Sequence, residues 1–170
     1  SNVLPGNTSK TVWNEYLTFD ELPQVMNPKS GFIQNCNNTP FITTTGDENP
    51  DRSLFSETLG IESRMSNRAL RAMELFGNDD KISREEFEEY KYDLKYANNS
   101  YMSSFIDRLV EKSSEFEDEK LIEGIEILKS WDLNTDVENM NATLPILSFG
   151  WFVETDPEDI SDETLVDSFK

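Results

Sequence analysis

The residues of this chain best suited to chemistry are the carboxamides of Gln34-Asn35-Cys36-Asn37-Asn38, set between the apolar pair Phe32-Ile33 and the turn-forming Thr39-Pro40. A carboxamide is a neutral N–H donor on a short stem, so it can hold an oxyanion with no dependence on protonation state. The same side chains also satisfy nearby backbone groups in Asx turns, and residue type alone leaves both readings open. In a strand over residues 31–36, Phe32 and Gln34 point to one face and Ile33 and Asn35 to the other, before Asn37-Asn38 and Pro40 turn the chain.

A second group suited to chemistry is the arginine stripe Arg64, Arg68 and Arg71, spaced as neighbours on a helix over residues 62–76 whose apolar stripe is Leu70, Met73 and Phe76. A solvated or acid-paired face is the plain reading of Arg68 and Arg71. The chain has no histidine and a single cysteine, Cys36. This excludes His-based triads, ordinary zinc sites and an internal disulfide. Without a histidine partner and beside Phe32 and Ile33, Cys36 reads as an inert small residue. No cofactor is implied.

Two stretches imitate calcium loops. Residues 79–87 match the second half of an EF-hand, but Leu75 and Gly77 stand where its first carboxylates belong, so Ser83-Arg84-Glu85-Glu86 reads as a capping box. In residues 132–136 the oxygen ligands alternate, yet Val137 replaces the turn glycine and Thr143 the bidentate glutamate.

The elements around these residues point to a mainly α chain with short N-terminal β or extended segments. Residues 1–45 carry the extended segments, over 12–19 and 31–36, with a helical turn over 20–22 and a turn over 27–31. Residues 46–61 are a loop rich in Gly, Asp, Asn and Pro. Residues 62–153 are helical: the helix over 62–76, then one opened by Ser83 with Phe87, Tyr90, Leu94 and Ala97 on its stripe. A third carries Phe105, Ile106, Leu109 and Val110, and a fourth, over 117–131, turns Leu121, Ile125 and Leu128 inward. The apolar run 139–153 is interrupted by Pro145 and Gly150, and 154–170 is an acidic tail with a helical turn near Thr164.

The 170 residues fit one domain, and 36% hydrophobic residues with 11 Phe, 5 Tyr and 3 Trp suffice for a core. Against 34 acidic residues stand 15 basic ones, a formal net charge of −19, which repels nucleic acid and anionic membranes alike. No apolar run approaches the length of a membrane span, and no signal peptide is present.

Trp13, Phe19-Asp20-Glu21-Leu22-Pro23, Asn27-Pro28, Gly31 to Pro40 and Asn49-Pro50, with Trp131-Asp132 and Ala142-Thr143-Leu144 further on, occur in an order that resembles the penicillin acylase family of N-terminal-nucleophile amidohydrolases. The likeness is closest to the acyl-homoserine-lactone and aculeacin acylase branch. The resemblance implies that Asn37, first of the final asparagine pair, donates to the oxyanion, and that Arg64 supports the site. It also implies a four-layer αββα fold, of which this chain is an excised inner piece of the β-subunit, and an N-acyl amide as substrate. The partner it implies is the remainder of the acylase, including its α-subunit, and the location is periplasmic or secreted. The family's calcium carboxylate falls at Ser53, so that site is not expected. Its nucleophile is a serine at a new N-terminus; Ser1-Asn2 has the right type but stands too near Asn37 in sequence and reads as an added or accidental start. The other reading is a non-catalytic acidic helical module for protein interaction.

Overall fold

The computed structural model describes residues 3–153 and 155–170, so the reading of Ser1-Asn2 lies outside the described residues. The described residues form six α-helices: α1 (Asn67–Gly77), α2 (Arg84–Lys91), α3 (Tyr101–Lys112), α4 (Glu119–Ser130), α5 (Thr143–Phe149) and α6 (Asp162–Phe169), with four 3-10 turns before α1 and one after each of α3, α4 and α5. The only β pairing among them is an isolated antiparallel bridge between Lys95 and Asn134.

The core lies in the second half. α3 packs against α4, α5 and α6. Phe105, Phe149, Met102, Leu109, Ile125, Leu128 and Leu165 are fully enclosed there. Phe105 meets Phe149 and Phe152 at ring-centroid distances of 6.2 and 6.0 Å. Gly124 lets α4 approach α6 closely, because a Cβ there would lie 2.7 Å from Cζ of Phe169. Arg108 fixes the approach to α6 by donating to the carbonyls of Pro157 (2.6 Å) and Ile160 (2.7 Å) and pairing with Asp162 (2.6 Å). The acidic C-terminal stretch is therefore more than a solvated tail, since Leu165 and Phe169 on one face of α6 are buried in the core. Pro145 falls in the first turn of α5, where a backbone N–H has no intrahelical acceptor, so it interrupts nothing.

The first half is held differently. The expected β segments over 12–19 and 31–36 form no strand ladder among the described residues; Phe19 opens a 3-10 turn and Gly31 stands at φ 80°. Among residues 12–17 only Val12 makes a backbone hydrogen bond to a described residue, donating to Ser9 O (3.3 Å), and Trp13, Tyr16 and Phe19 are exposed. Extended backbone becomes a strand only beside another edge. The alternation over 31–36 does hold: Gln34 is buried and Phe32 half-buried, whereas Ile33 and Asn35 face solvent. Gln34 is bound twice, its N–H donating to Thr43 O (2.8 Å) and its Nε2 to Ile42 O (3.0 Å).

Local sequence explains the helix starts. Ser66, Ser83, Ser100, Asp118 and Ser161 each cap the following helix through a side-chain oxygen, and Ser83 with Glu86 forms the expected capping box. α1 begins later than the periodicity predicts. Glu62 Oε1 accepts from the N–H groups of Ser63 (2.8 Å) and Arg64 (2.9 Å), which holds that stretch in a local turn until Ser66 caps the helix. α2 ends at Lys91, so Leu94 and Ala97 belong to the connection that follows it.

Candidate functional site

Cys36 and Asn37 rest on the N-terminus of α1. Ser66 does two things at that point: its Oγ accepts from Ala69 N (3.2 Å), capping the helix, and donates to Cys36 O (2.9 Å). Three residues before α1 begins, Arg64 O accepts from Thr39 N (3.0 Å). The asparagine loop is thus tied to residues 64–66 by three bonds that do not use Asn37, the third running from Asn38 Nδ2 to Met65 Sδ (3.6 Å).

The asparagines divide their work. Asn35 Oδ1 accepts from Asn37 N (3.2 Å) in an Asx turn, and Asn38 Oδ1 accepts from Cys36 N (2.8 Å). Asn38 also spends its Nδ2 on the carbonyls of Thr39 (2.7 Å) and Ile42 (3.3 Å). The Asx-turn reading therefore holds for part of the cluster. Asn35 and Asn38 build the turn, while the Asn37 side chain is left out of it. Asn37 sits at φ 58°, in the left-handed region that asparagine tolerates better than most residues. Its Oδ1 accepts from Arg68 Nη2 at 2.9 Å. A guanidinium can only donate, so this bond fixes which arm of the amide is oxygen and leaves the Nδ2 hydrogens facing elsewhere, with no acceptor among the described residues.

The three arginines of the stripe have different surroundings. Arg64 is exposed and pairs with Glu62 (Nε to Oε1, 3.3 Å). The Arg64 guanidinium and the two backbone N–H groups hold the Glu62 carboxyl at about 2, well below the ordinary carboxylate range. Arg71 is the half-buried one. It forks onto Asp93 through Nε (2.8 Å) and Nη2 (3.0 Å) and reaches Glu74 through Nη1 (2.8 Å). Hydrogen bonding to Arg71 outweighs burial and lowers the Asp93 carboxyl. With Asn67 Oδ1 accepting from Ala97 N and Glu74 Oε1 from Asn98 N, this pair clamps α1 to residues 93–98. That segment in turn meets residues 133–135 through Tyr96 N to Leu133 O and Thr135 N to Leu94 O.

These elements enclose a cleft of about 800 Å³ whose walls include Asn37, Arg64 and Arg68 at one place and Phe76, Tyr90 and Leu94 at another. Phe76 is the centre of an aromatic group with Phe32, Phe87 and Tyr90. The site therefore joins a neutral amide donor beside a positive charge to an apolar wall. No group of three or more His, Cys, Asp or Glu residues is placed to hold a metal ion among the described residues, and Ser53 donates its hydroxyl to Asp51.

The penicillin amidase family model matches residues 1–154. The chain belongs to the penicillin amidase family. As in other penicillin amidases, hydrolase and acylase chemistry at an amide is the family's province, and a polar donor with an apolar wall suits such a substrate. What the order of residues along the chain does not reveal is the part of Arg68. In sequence it reads as one of three surface arginines; its distinction is the loop that folds back onto α1.

Proposed function

We propose that this penicillin amidase chain is part of an amidohydrolase of N-acyl amides, of the penicillin or acyl-homoserine-lactone acylase type, within a four-layer αββα fold located in the periplasm or outside the cell. Asn37 is the oxyanion donor and Arg64 a supporting residue, while the attacking serine comes from the remainder of the acylase. The serine Oγ attacks the amide carbon, passing its proton through water to its own α-amino group, and the carbonyl electrons move onto oxygen. Asn37 Nδ2 donates to that oxyanion. Collapse expels the amine, which takes up the proton, and water then hydrolyses the acyl-enzyme.

The observation that carries this reading is the Asn37 amide, whose oxygen is occupied by Arg68 and whose N–H groups are left for another acceptor. The remainder of the acylase is also the natural cover for the exposed side chains of Trp13, Tyr16, Phe19 and Met26.

The test is an acyl-phosphonate trapped on the nucleophile of the complete processed enzyme. Its phosphoryl oxygen should lie within hydrogen-bond distance of Asn37 Nδ2. An oxygen facing other donors, with Asn37 remote from it, overturns the assignment. Arg64→Lys keeps the charge and loses the planar fork, so it should lower turnover if Arg64 supports the site.

A further inference from the structure

We propose that Arg68 is a positioning residue for Asn37: it holds the amide oxygen so that the Nδ2 hydrogens face the reacting carbonyl, and it adds positive charge behind that donor. The proposal rests on the oxyanion reading of Asn37.

Three observations carry it. Arg68 Nη2 donates to Asn37 Oδ1 at 2.9 Å and lies 3.5 Å from Cys36 O, so one guanidinium nitrogen spans the side chain of one loop residue and the backbone of the residue before it. The second observation concerns charge. Arg64 and Arg71 are paired with carboxylates, but Arg68 has no carboxylate partner among the described residues, in a chain with 34 acidic residues. An acid there would cancel the positive field at the donor; the amide oxygen, being neutral, leaves it in place. The third is position: Arg68 lies in the first turn of α1, directly after the Ser66 cap, where the unpaired N–H groups of the helix already favour negative charge. A charge-assisted bond to Oδ1 also polarises the amide, which makes its N–H groups stronger donors.

Among the described residues no other hydrogen bond holds the Asn37 side chain. Its backbone is in the left-handed region and its N–H is taken by Asn35, but neither constrains which way the amide faces. Without Arg68 the amide can turn its oxygen toward the substrate and repel the developing oxyanion. The loss then falls on kcat, because the interaction strengthens only as charge develops on the substrate oxygen.

The experiment is a double-mutant cycle in the complete processed enzyme, with Arg68→Ala, Asn37→Ala and both together. Arg68→Ala should lower kcat by about 10- to 100-fold with KM within about twofold. In the Asn37→Ala background the same change should cost less than about twofold, and Arg68→Lys should recover part of the loss. Equal losses in both backgrounds would show that Arg68 acts on something other than Asn37 and would overturn the proposal. Near-normal turnover by Asn37→Ala alone removes the oxyanion reading, and this proposal with it. A readout independent of catalysis uses the 170-residue chain: the two Nδ2 protons of Asn37 should keep distinct NMR shifts in the parent and in Arg68→Lys, and should move toward solvent-exposed asparagine values in Arg68→Ala. Unchanged shifts in Arg68→Ala contradict the proposal even if the variant enzyme cannot be processed.

Discussion

The bundle of α3 to α6 and the loops before α1 are built on opposite principles. In the bundle, rings and aliphatic side chains are enclosed around Phe105, and most polar groups face water. Before α1, the enclosed side chains are mainly Gln34, Thr39 and Thr44, with Phe41 the one large apolar residue among them, and side-chain amides and hydroxyls hold the backbone. Asn49 is typical: its Oδ1 accepts from Thr43 N (2.8 Å) and Thr44 N (3.2 Å) while its Nδ2 donates to Thr44 O (2.7 Å). Burial of apolar area is non-directional, whereas hydrogen bonds fix orientation. The difference explains why the candidate donor lies in the loops. A site must aim an amide, and the bundle supplies only a platform, reached through the clamp of Arg71 on Asp93 and the bridge at Lys95.

The contrast can be broken from either side. Phe105→Ala should produce the largest loss, about 3–5 kcal/mol, because it empties the centre of a region that has little but packing to hold it. Chemical denaturation measures this, and a loss under about 1 kcal/mol would mean that the bundle is not the stable half. Asn49→Ala should cost about 1–2 kcal/mol, since it leaves two N–H groups and one carbonyl to find other partners. Amide exchange should quicken at Thr43 and Thr44 while α3 stays protected; uniform quickening would contradict a local role.

Acid should act on the junction between the two halves. The folded Asp93 carboxyl is lowered by Arg71, so its contribution is complete above the unfolded value near 3.9 and is lost as pH falls through the lowered folded value. Melting temperature should therefore drop below about pH 4, and Asp93→Asn should start lower at neutral pH and show a shallower acid dependence. Parallel acid profiles for the two proteins would show that the clamp carries none of it.

Much of the bundle was legible in the sequence because its cues are local. Period-3.6 stripes announce α3 and α4, and Ser83 with Glu86 announces α2. What escaped the pattern depends on partners distant in sequence. Leu147 and Trp151 belong to an apolar run, yet they face solvent: α5 buries the face of Pro145, Ser148 and Phe149, and Trp151 lies beyond its end. α6 is highly acidic, and only its contact with α4 shows that Phe169 is a core residue. The amide cluster was visible as a cluster. The family likeness implied an oxyanion role for Asn37 and left Asn38 to the turn; the turn bond of Asn35 and the bond from Arg68 to Asn37 could not be read from residue types that are the same.

The central claim is that Asn37 serves a substrate oxygen while Asn38 serves the loop. It is tested by comparing Asn37→Ala with Asn38→Ala in the complete processed enzyme, measuring kcat on an N-acyl amide together with melting temperature. Asn37→Ala should lower kcat by about 10²–10³-fold, the usual cost of one oxyanion donor, with the melting temperature little changed. Asn38→Ala should lower the melting temperature and cost far less in kcat, because its amide is spent on Cys36 N, Thr39 O and Ile42 O. Near-normal turnover by Asn37→Ala, or the same pattern in both variants, would contradict the account and leave the whole cluster as a turn.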